Sequence, residues 1–149
     1  MKHIGAAEEL RRVVAEYEAK FLAMSEEEAG RSPEPEKWSK KQILGHLLDS
    51  AANNHQRFIR MQLTPELHFP GYEQTEWVRL NDYAGRPWRE MVALWAAWNR
   101  HLAHVMERIA PGTLSHVWDS GSSRQDLQFV ATDYVVHLRH HADQIVKTG

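Results

Sequence analysis

The sequence predicts an all-α protein folded as a four-helix bundle. Four long segments carry apolar residues at three- and four-residue steps, which is the period of an amphipathic helix. No segment shows the alternation of apolar and polar residues that is typical of a half-buried strand. At 149 residues the chain has the length of one ordinary domain. Four such helices most simply share one apolar core, so we expect a single domain over residues 1–149.

The first two predicted helices are separated by prolines. Apolar side chains recur along one face of residues 10–24, while charged side chains occupy the other face. The second helix is expected to begin after Ser39, which can cap the helix while Gln42 reaches back to it, as in a capping box. It should continue to about Leu63, because a proline follows shortly afterwards.

The third and fourth predicted helices occupy the second half of the chain. The third begins near Pro87, since proline suits the first turn of a helix, and it runs toward Pro111. The fourth begins at Ser123 or Arg124 and continues almost to the C-terminus. Both helices present broad apolar faces, as expected of members of a shared core.

Two connections are longer than a bundle needs. The first covers residues 65–86 and is expected to hold a short helix around residues 73–81. The second covers residues 111–122 and contains His116 and Trp118. Long connections over the end of a bundle often roof a site, although the second can equally be an ordinary surface excursion.

The charge and the composition exclude several classes of function. With 18 basic and 20 acidic side chains the formal net charge is -2 and neither sign is concentrated, so we expect neither nucleic acid nor a membrane as a partner. No apolar run has the length of a signal peptide or a membrane span, and we expect a cytoplasmic protein. The chain has no cysteine, which excludes disulfides, iron–sulfur clusters, thiolate metal sites and a cysteine nucleophile.

Two histidines near the C-terminus can face a common point. In HLRHHADQI, His137 and His141 are one helical turn apart and can share a face, whereas His140 points elsewhere. Asp133 lies one turn before His137 and could accept a hydrogen bond from its ring, although an exposed position is the more ordinary interpretation of that aspartate. Histidine pairs at this spacing recur in helical metal sites, but a hydrogen-bonded core histidine is the commoner interpretation of such a residue.

A third metal ligand has to come from another part of the chain, and the second helix offers His46. On the helical wheel His46 lies just off the apolar stripe, beside a polar ridge, which suits the mouth of a pocket and a solvated face equally. Asp49 and Asn53 belong to this ridge and are candidate catalytic residues, because they could orient a water, a ligand imidazole or a polar substrate. Arg57 could hold a carboxylate, although an exposed position is again the more ordinary interpretation.

Three stretches of the sequence resemble the DinB/YfiT-like superfamily of metal-dependent enzymes. They are KWSKKQILGHLLDSAANNHQRF, GYEQTEWVRLNDY and YVVHLRHHADQI, in this order, within about residues 35–147. The resemblance implies a four-helix bundle in which one histidine of the second helix and two of the last helix bind a divalent metal ion. Matched residue by residue, these metal ligands are His46, His137 and His141, and His140 is not a ligand.

The resemblance leaves three functions open. Three neutral imidazoles leave a cation with positions for a reactant, which is typical of a catalytic metal centre. Imidazole suits zinc, the ion that we expect first, and nickel, which comes next. The resemblance slightly favours a transferase that uses a low-molecular-weight thiol of the bacillithiol, mycothiol or glutathione type on a small-molecule substrate. The alternatives are a metal-dependent hydrolase and a non-catalytic stress-response or binding module.

Three tryptophans of the third predicted helix suggest self-association. Trp88, Trp95 and Trp98 add more apolar surface than one small bundle needs to bury. We therefore expect a homodimer under any of the three functions.

Overall fold

The computed structural model describes residues 2–147, which form six α-helices and three short strands. Four of the helices are long: α1 (His3–Leu22), α3 (Lys40–Leu63), α5 (Trp88–Glu107) and α6 (Leu127–Lys147). The helices α2 (Glu26–Gly30) and α4 (Gln74–Asn81) are short and lie in the connections. The strands are β1 (Glu66–His68), β2 (Val117–Asp119) and β3 (Arg124–Asp126).

The four long helices form the predicted bundle. α1 packs against α5 and α6, and α3 packs against the same two helices, so α1 and α3 occupy opposite corners. The apolar faces that give the sequence its helical period meet in one core, because burying them removes apolar surface from water. The largest side chains that this core buries fully are Trp88, Trp95, Tyr17, Phe21 and Phe58.

The start of α3 confirms the capping box. The Ser39 hydroxyl accepts from the Gln42 backbone N–H at 3.2 Å, and the Gln42 side-chain oxygen accepts from the Ser39 backbone N–H at 2.9 Å. Both bonds satisfy donors that a helix start leaves without intrahelical partners. The predicted end at Leu63 and the short helix predicted around residues 73–81 are also confirmed.

The prediction that the chain has no strand is wrong. β1 pairs with β2 in parallel, and β2 pairs with β3 antiparallel through a turn in which Gly121 has a φ of 92°. Each strand has three residues, which is too short to show alternation in a sequence. The predicted start of the last helix at Ser123 or Arg124 is wrong for the same reason, because residues 124–126 belong to β3 and α6 begins at Leu127.

The sheet joins the two long connections. We call residues 64–73 and 114–126 the roof segments, since β1 lies in the first and β2 and β3 lie in the second. The indole N–H of Trp118 donates to the backbone oxygen of Phe69 at 2.7 Å, which adds a side-chain link between the two segments. The roof segments therefore pack as one unit against α3 and α6.

The tryptophans of α5 are used within the chain. Trp88 and Trp95 are fully buried, and the indole N–H of Trp88 donates to the Phe21 backbone oxygen at 2.7 Å. Trp98 is half-buried, and its indole N–H donates to His55 Nδ1 at 3.2 Å. The apolar surface that suggested a homodimer is thus largely covered by this one chain. Across residues 2–147, no helix is both long and apolar enough to cross a membrane.

Candidate active site

A cavity of about 450 Å³ lies between α3, α6 and the roof segments. This volume falls within the range of pockets that bind small molecules. Its wall is mostly polar, with serines of the β2–β3 turn facing side chains of the two helices. The lining includes His46, Ser50, Asn54, Arg57, Tyr72, Trp118, Asp133, His137 and His141.

The structure brings the three predicted metal ligands to this one cavity. His46 comes from α3 and His141 from α6, and their ring centroids are 4.9 Å apart in an edge-to-face arrangement. His137 lies one turn before His141, and its side chain is 65 % exposed. Its Nε2 lies 3.5 Å from Asp133 Oδ2, so the pairing considered for Asp133 is present. His140 is exposed and does not line the cavity, in agreement with the predicted orientation.

His46 and His141 are held as neutral imidazoles. Burial, with a smaller contribution from the charges that His141 and His137 can carry, lowers the pKa of His46 to about 4. Burial also lowers the pKa of His141. The side-chain oxygen of Gln144 accepts from His141 Nδ1 at 3.0 Å, which leaves the lone pair on the Nε2 atom of that ring.

The donor chemistry of the cavity fits a divalent metal ion. His46 Nδ1 is buried and has no hydrogen-bond partner within residues 2–147. A buried nitrogen without a partner is costly, and such atoms commonly mark a functional site. The nearby rings are also imidazoles, the ligand type that zinc and nickel accept. The potential ligand atoms of His46, His137 and His141 do not, however, all lie within 4.8 Å of one another.

A different group of side chains within the described part of the chain meets that distance. Potential ligand atoms of Glu66, His68 and Asp119 all lie within 4.8 Å of one another on the sheet, outside the cavity. The guanidinium of Arg124 donates to Glu66 Oε1 at 2.7 Å and to Asp119 Oδ2 at 3.1 Å. Because this guanidinium already pairs with both carboxylates, we do not assign a metal ion to this group.

The two predicted catalytic residues lie behind the cavity wall. Asp49 is 2 % exposed, and its Oδ1 accepts from Tyr83 Oη at 2.5 Å and from Asn81 Nδ2 at 3.1 Å. Burial raises the pKa of Asp49 to about 6. Asn53 donates to the backbone oxygen of Asp49 at 2.8 Å. Neither residue lines the cavity, so their catalytic role stays a prediction without support from this geometry.

The roof buries a residue that the sequence placed in solvent. Arg57 is 8 % exposed, and its guanidinium carbon lies 3.9 Å from the centre of the Trp118 ring. Its position on the polar ridge of α3 did not predict this burial, because Trp118 belongs to a connection that is distant in sequence. Tyr72 also lines the cavity, and the ring of Trp77 packs against it.

The fold and the cavity together define a class of protein: a helical bundle with a small-molecule site built from side chains on facing helices. The sequence also identifies the family within that class. The model of the DinB superfamily matches residues 9–145, and the chain belongs to the DinB superfamily.

One solved structure shares the fold. It is YfiT from Bacillus subtilis, described as "a probable metal-dependent hydrolase with an unusual four-helix bundle topology". The TM-score is 0.87 at 18 % sequence identity, and the match covers 98 % of this chain and 85 % of that one. At this identity the likeness establishes the fold alone. Comparison with proteins of curated function finds no significant match.

Proposed function

We propose that the chain is a metal-dependent enzyme in which His46, His137 and His141 bind one divalent cation beside a small polar substrate. The observation that carries this proposal is the buried Nδ1 of His46, which has no partner in the described part of the chain and lies in a wall shared with the other two histidines. We propose zinc as the ion, with nickel second, because both accept three imidazole ligands.

The chain's own residues would orient the three imidazoles. The Trp38 ring packs on His46 with a centroid distance of 5.5 Å, and the carboxylate of Asp133 faces His137. A divalent ion held by neutral imidazoles supplies a Lewis acid that favours the deprotonated form of a water or a thiol. Tyr72 and Trp118 form the roof side of the cavity wall.

Hydrolysis of an ester, an amide or a similar bond is the reaction that we propose first. The polar wall of the cavity suits a substrate with several hydrogen-bonding groups. YfiT, whose fold this chain shares, is itself described as a probable metal-dependent hydrolase. Water is the only second reactant that this reaction needs.

Transfer of a low-molecular-weight thiol is the second candidate. The sequence favoured it slightly, with bacillithiol, mycothiol or glutathione as possible cosubstrates. The chain has no cysteine, so the attacking sulfur would have to arrive with the cosubstrate. A cavity of about 450 Å³ has room for the reactive part of such a thiol.

Elemental analysis tests the metal centre. Protein without an affinity tag, purified without chelator, should hold about one equivalent of zinc or nickel per chain. The substitution His141→Ala should lower the affinity for zinc by more than about 100-fold, since the loss of residues that merely support a ligand already costs 10- to 100-fold. His140→Ala, which changes the adjacent exposed histidine, should leave the zinc affinity unchanged.

Two outcomes would refute the metal centre. The first is zinc binding in His141→Ala that equals that of the unchanged chain. The second is a metal-free protein that takes up no zinc, which would favour the non-catalytic stress-response or binding module. Zinc binding that is lost in His68→Ala but kept in His141→Ala would move the site to the Glu66 group on the sheet.

Parallel substrate panels distinguish the two reactions. Chromogenic esters and anilides report hydrolysis, while a chromogenic electrophile mixed with each thiol reports transfer. Turnover of the first panel that disappears in His141→Ala supports the hydrolase. Turnover of the second panel alone, with the same dependence on His141, would replace the hydrolase by the thiol transferase.

The homodimer and the cytoplasmic location stay predictions. The burial of Trp88 and Trp95 removes the main reason for expecting a dimer. Sedimentation equilibrium of the full chain measures the oligomeric state directly.

A further inference from the structure

Arg57 is a buried cation at the edge of the cavity. It lines the cavity together with the three histidines, and 8 % of its surface is exposed. The Trp118 ring covers one face of its guanidinium at 3.9 Å. Stacking on an aromatic ring holds a guanidinium in a fixed plane and leaves its N–H edge available for a planar anion.

The polar partners of Arg57 do not compensate its charge. Its Nη1 donates to the neutral side chain of Asn54 at 3.3 Å, and its buried Nε–H has no acceptor among the residues that the structure describes. Within residues 2–147, no carboxylate forms an ion pair with it. Asp133, the carboxylate among the lining residues, faces His137 instead. A buried charge without a counter-ion is costly, and a bound anion would relieve that cost.

We propose that Arg57 binds a carboxylate group of the substrate, so that the cavity selects small carboxylic acids or their derivatives. The inference rests on the proposed function for the reacting end of the substrate, while the anion site itself is built from residues other than the metal ligands. Arg57 is the one lysine or arginine among the lining residues that the structure describes, which suits a singly charged anion better than a phosphate dianion.

The position of Arg57 places the carboxylate away from the reacting bond. Residues 46 and 57 lie on one face of α3, with Cα atoms about 16 Å apart along the helix. The hydrogen bond to Asn54 directs the arginine side chain back by about one turn of α3. Along the helix axis, the guanidinium is therefore about 11 Å from the level of residue 46. The carboxylate therefore belongs to a part of the substrate that does not react, and its loss should raise KM more than it lowers kcat.

Benzoate and its neutral analogue benzamide provide the test. The zinc-treated full chain should bind benzoate at least about tenfold more tightly than benzamide, as measured by calorimetry. Arg57→Met keeps an unbranched side chain and removes the charge, and it should abolish this preference. Arg60→Met is the matched control, because Arg60 lies one turn further along α3 and is exposed, and the preference should persist in that variant.

The same measurements separate this inference from the metal centre. Arg57→Met should still bind zinc, and His141→Ala should still prefer benzoate to benzamide although it has lost zinc. Equal binding of benzoate and benzamide by the unchanged chain would overturn the inference. Retention of the benzoate preference in Arg57→Met would overturn it as well.

If Arg57→Met does not fold, the unsubstituted chain still provides a test by nuclear magnetic resonance. The nitrogen-15 resonance of Arg57 Nε, assigned with Arg57→Lys, should shift when benzoate is added and stay in place when benzamide is added. A resonance that does not move at saturating benzoate would overturn the inference.

Discussion

Replacing Asp49 by asparagine tests whether this buried carboxyl has a structural role. Asp49 accepts hydrogen bonds from Tyr83 and Asn81, and its Oδ2 is buried without a partner among the described residues. Burial raises its pKa from 3.8 to about 6. Because this pKa is higher in the folded chain than in the unfolded chain, the folded state binds more protons, and stability falls as the pH rises from about 4 to about 6.

The size of this effect follows from the two pKa values. The difference between 3.8 and about 6 corresponds to about 3 kcal/mol of stability that is present at low pH and lost by about pH 8. Roughly 1.4 kcal/mol of it is lost between about pH 5 and about pH 8, where the folded carboxyl ionises while the unfolded one is already ionised. Asparagine has the same shape and cannot ionise, so Asp49→Asn lacks this loss.

Urea unfolding of both proteins measures the difference. The free energy of unfolding of Asp49→Asn relative to the unchanged chain should rise by about 1.4 kcal/mol from about pH 5 to about pH 8. All other titrating groups are common to both proteins and cancel. A relative stability that does not vary with pH would refute the claim that burial raises the pKa of Asp49. Lost turnover in such a variant, with unchanged stability, would restore the catalytic role predicted for Asp49.

Two further substitutions test the packing of α3 and the cap at its N-terminus. Gly45→Ala should destabilise the chain by about 3 kcal/mol, because the added Cβ would lie 2.5 Å from Tyr83 Cε2 and closer still to Cδ2. Gly30→Ala is the control, because a Cβ at this position would meet no described atom within 4 Å, and it should change stability by less than about 1 kcal/mol. Equal stability of the two variants would contradict the close packing of Tyr83 against Gly45. Ser39→Ala removes the bond to the Gln42 N–H and should cost about 1 kcal/mol in urea unfolding; an unchanged value would show that the capping box contributes nothing.

The local features of the fold could be predicted from the sequence. The ends of α3 depend on residues within one turn of each end, so the pairing of Ser39 with Gln42 can be predicted from the sequence. The apolar periodicity likewise reports which face of each helix is buried. The four-helix bundle follows from these two kinds of signal together.

The features that the sequence missed depend on contacts between distant segments. The β1 and β2 strands pair across the roof, and three residues carry no pattern of their own. Asp49 and Arg57 lie on the ridge that suggested a wet face, and they are buried because Tyr83 and Trp118 cover them from other parts of the chain. A helical wheel describes one helix and contains no information on what packs against its polar side.

The three histidines include both a feature that the sequence predicts and one that depends on distant segments. The spacing of His137 and His141 made a shared face predictable, and both line the cavity. The wheel left His46 undecided, because its burial comes from Trp38 and from α6. The resemblance to the DinB/YfiT-like superfamily supplied what the periodicity did not, and the ligand set itself stays a prediction for the zinc measurements.

The parallel pairing of β1 with β2 has a consequence for the order of folding. Glu66 pairs with Val117, and both α4 and α5 lie between them in the chain, so closing this loop costs considerable chain entropy. This pairing requires the loop to close first, whereas each helix forms from contacts within a few residues. A chain that has reached full helical content can therefore still lack its binding chamber, so helical content alone does not report the capacity to hold a ligand.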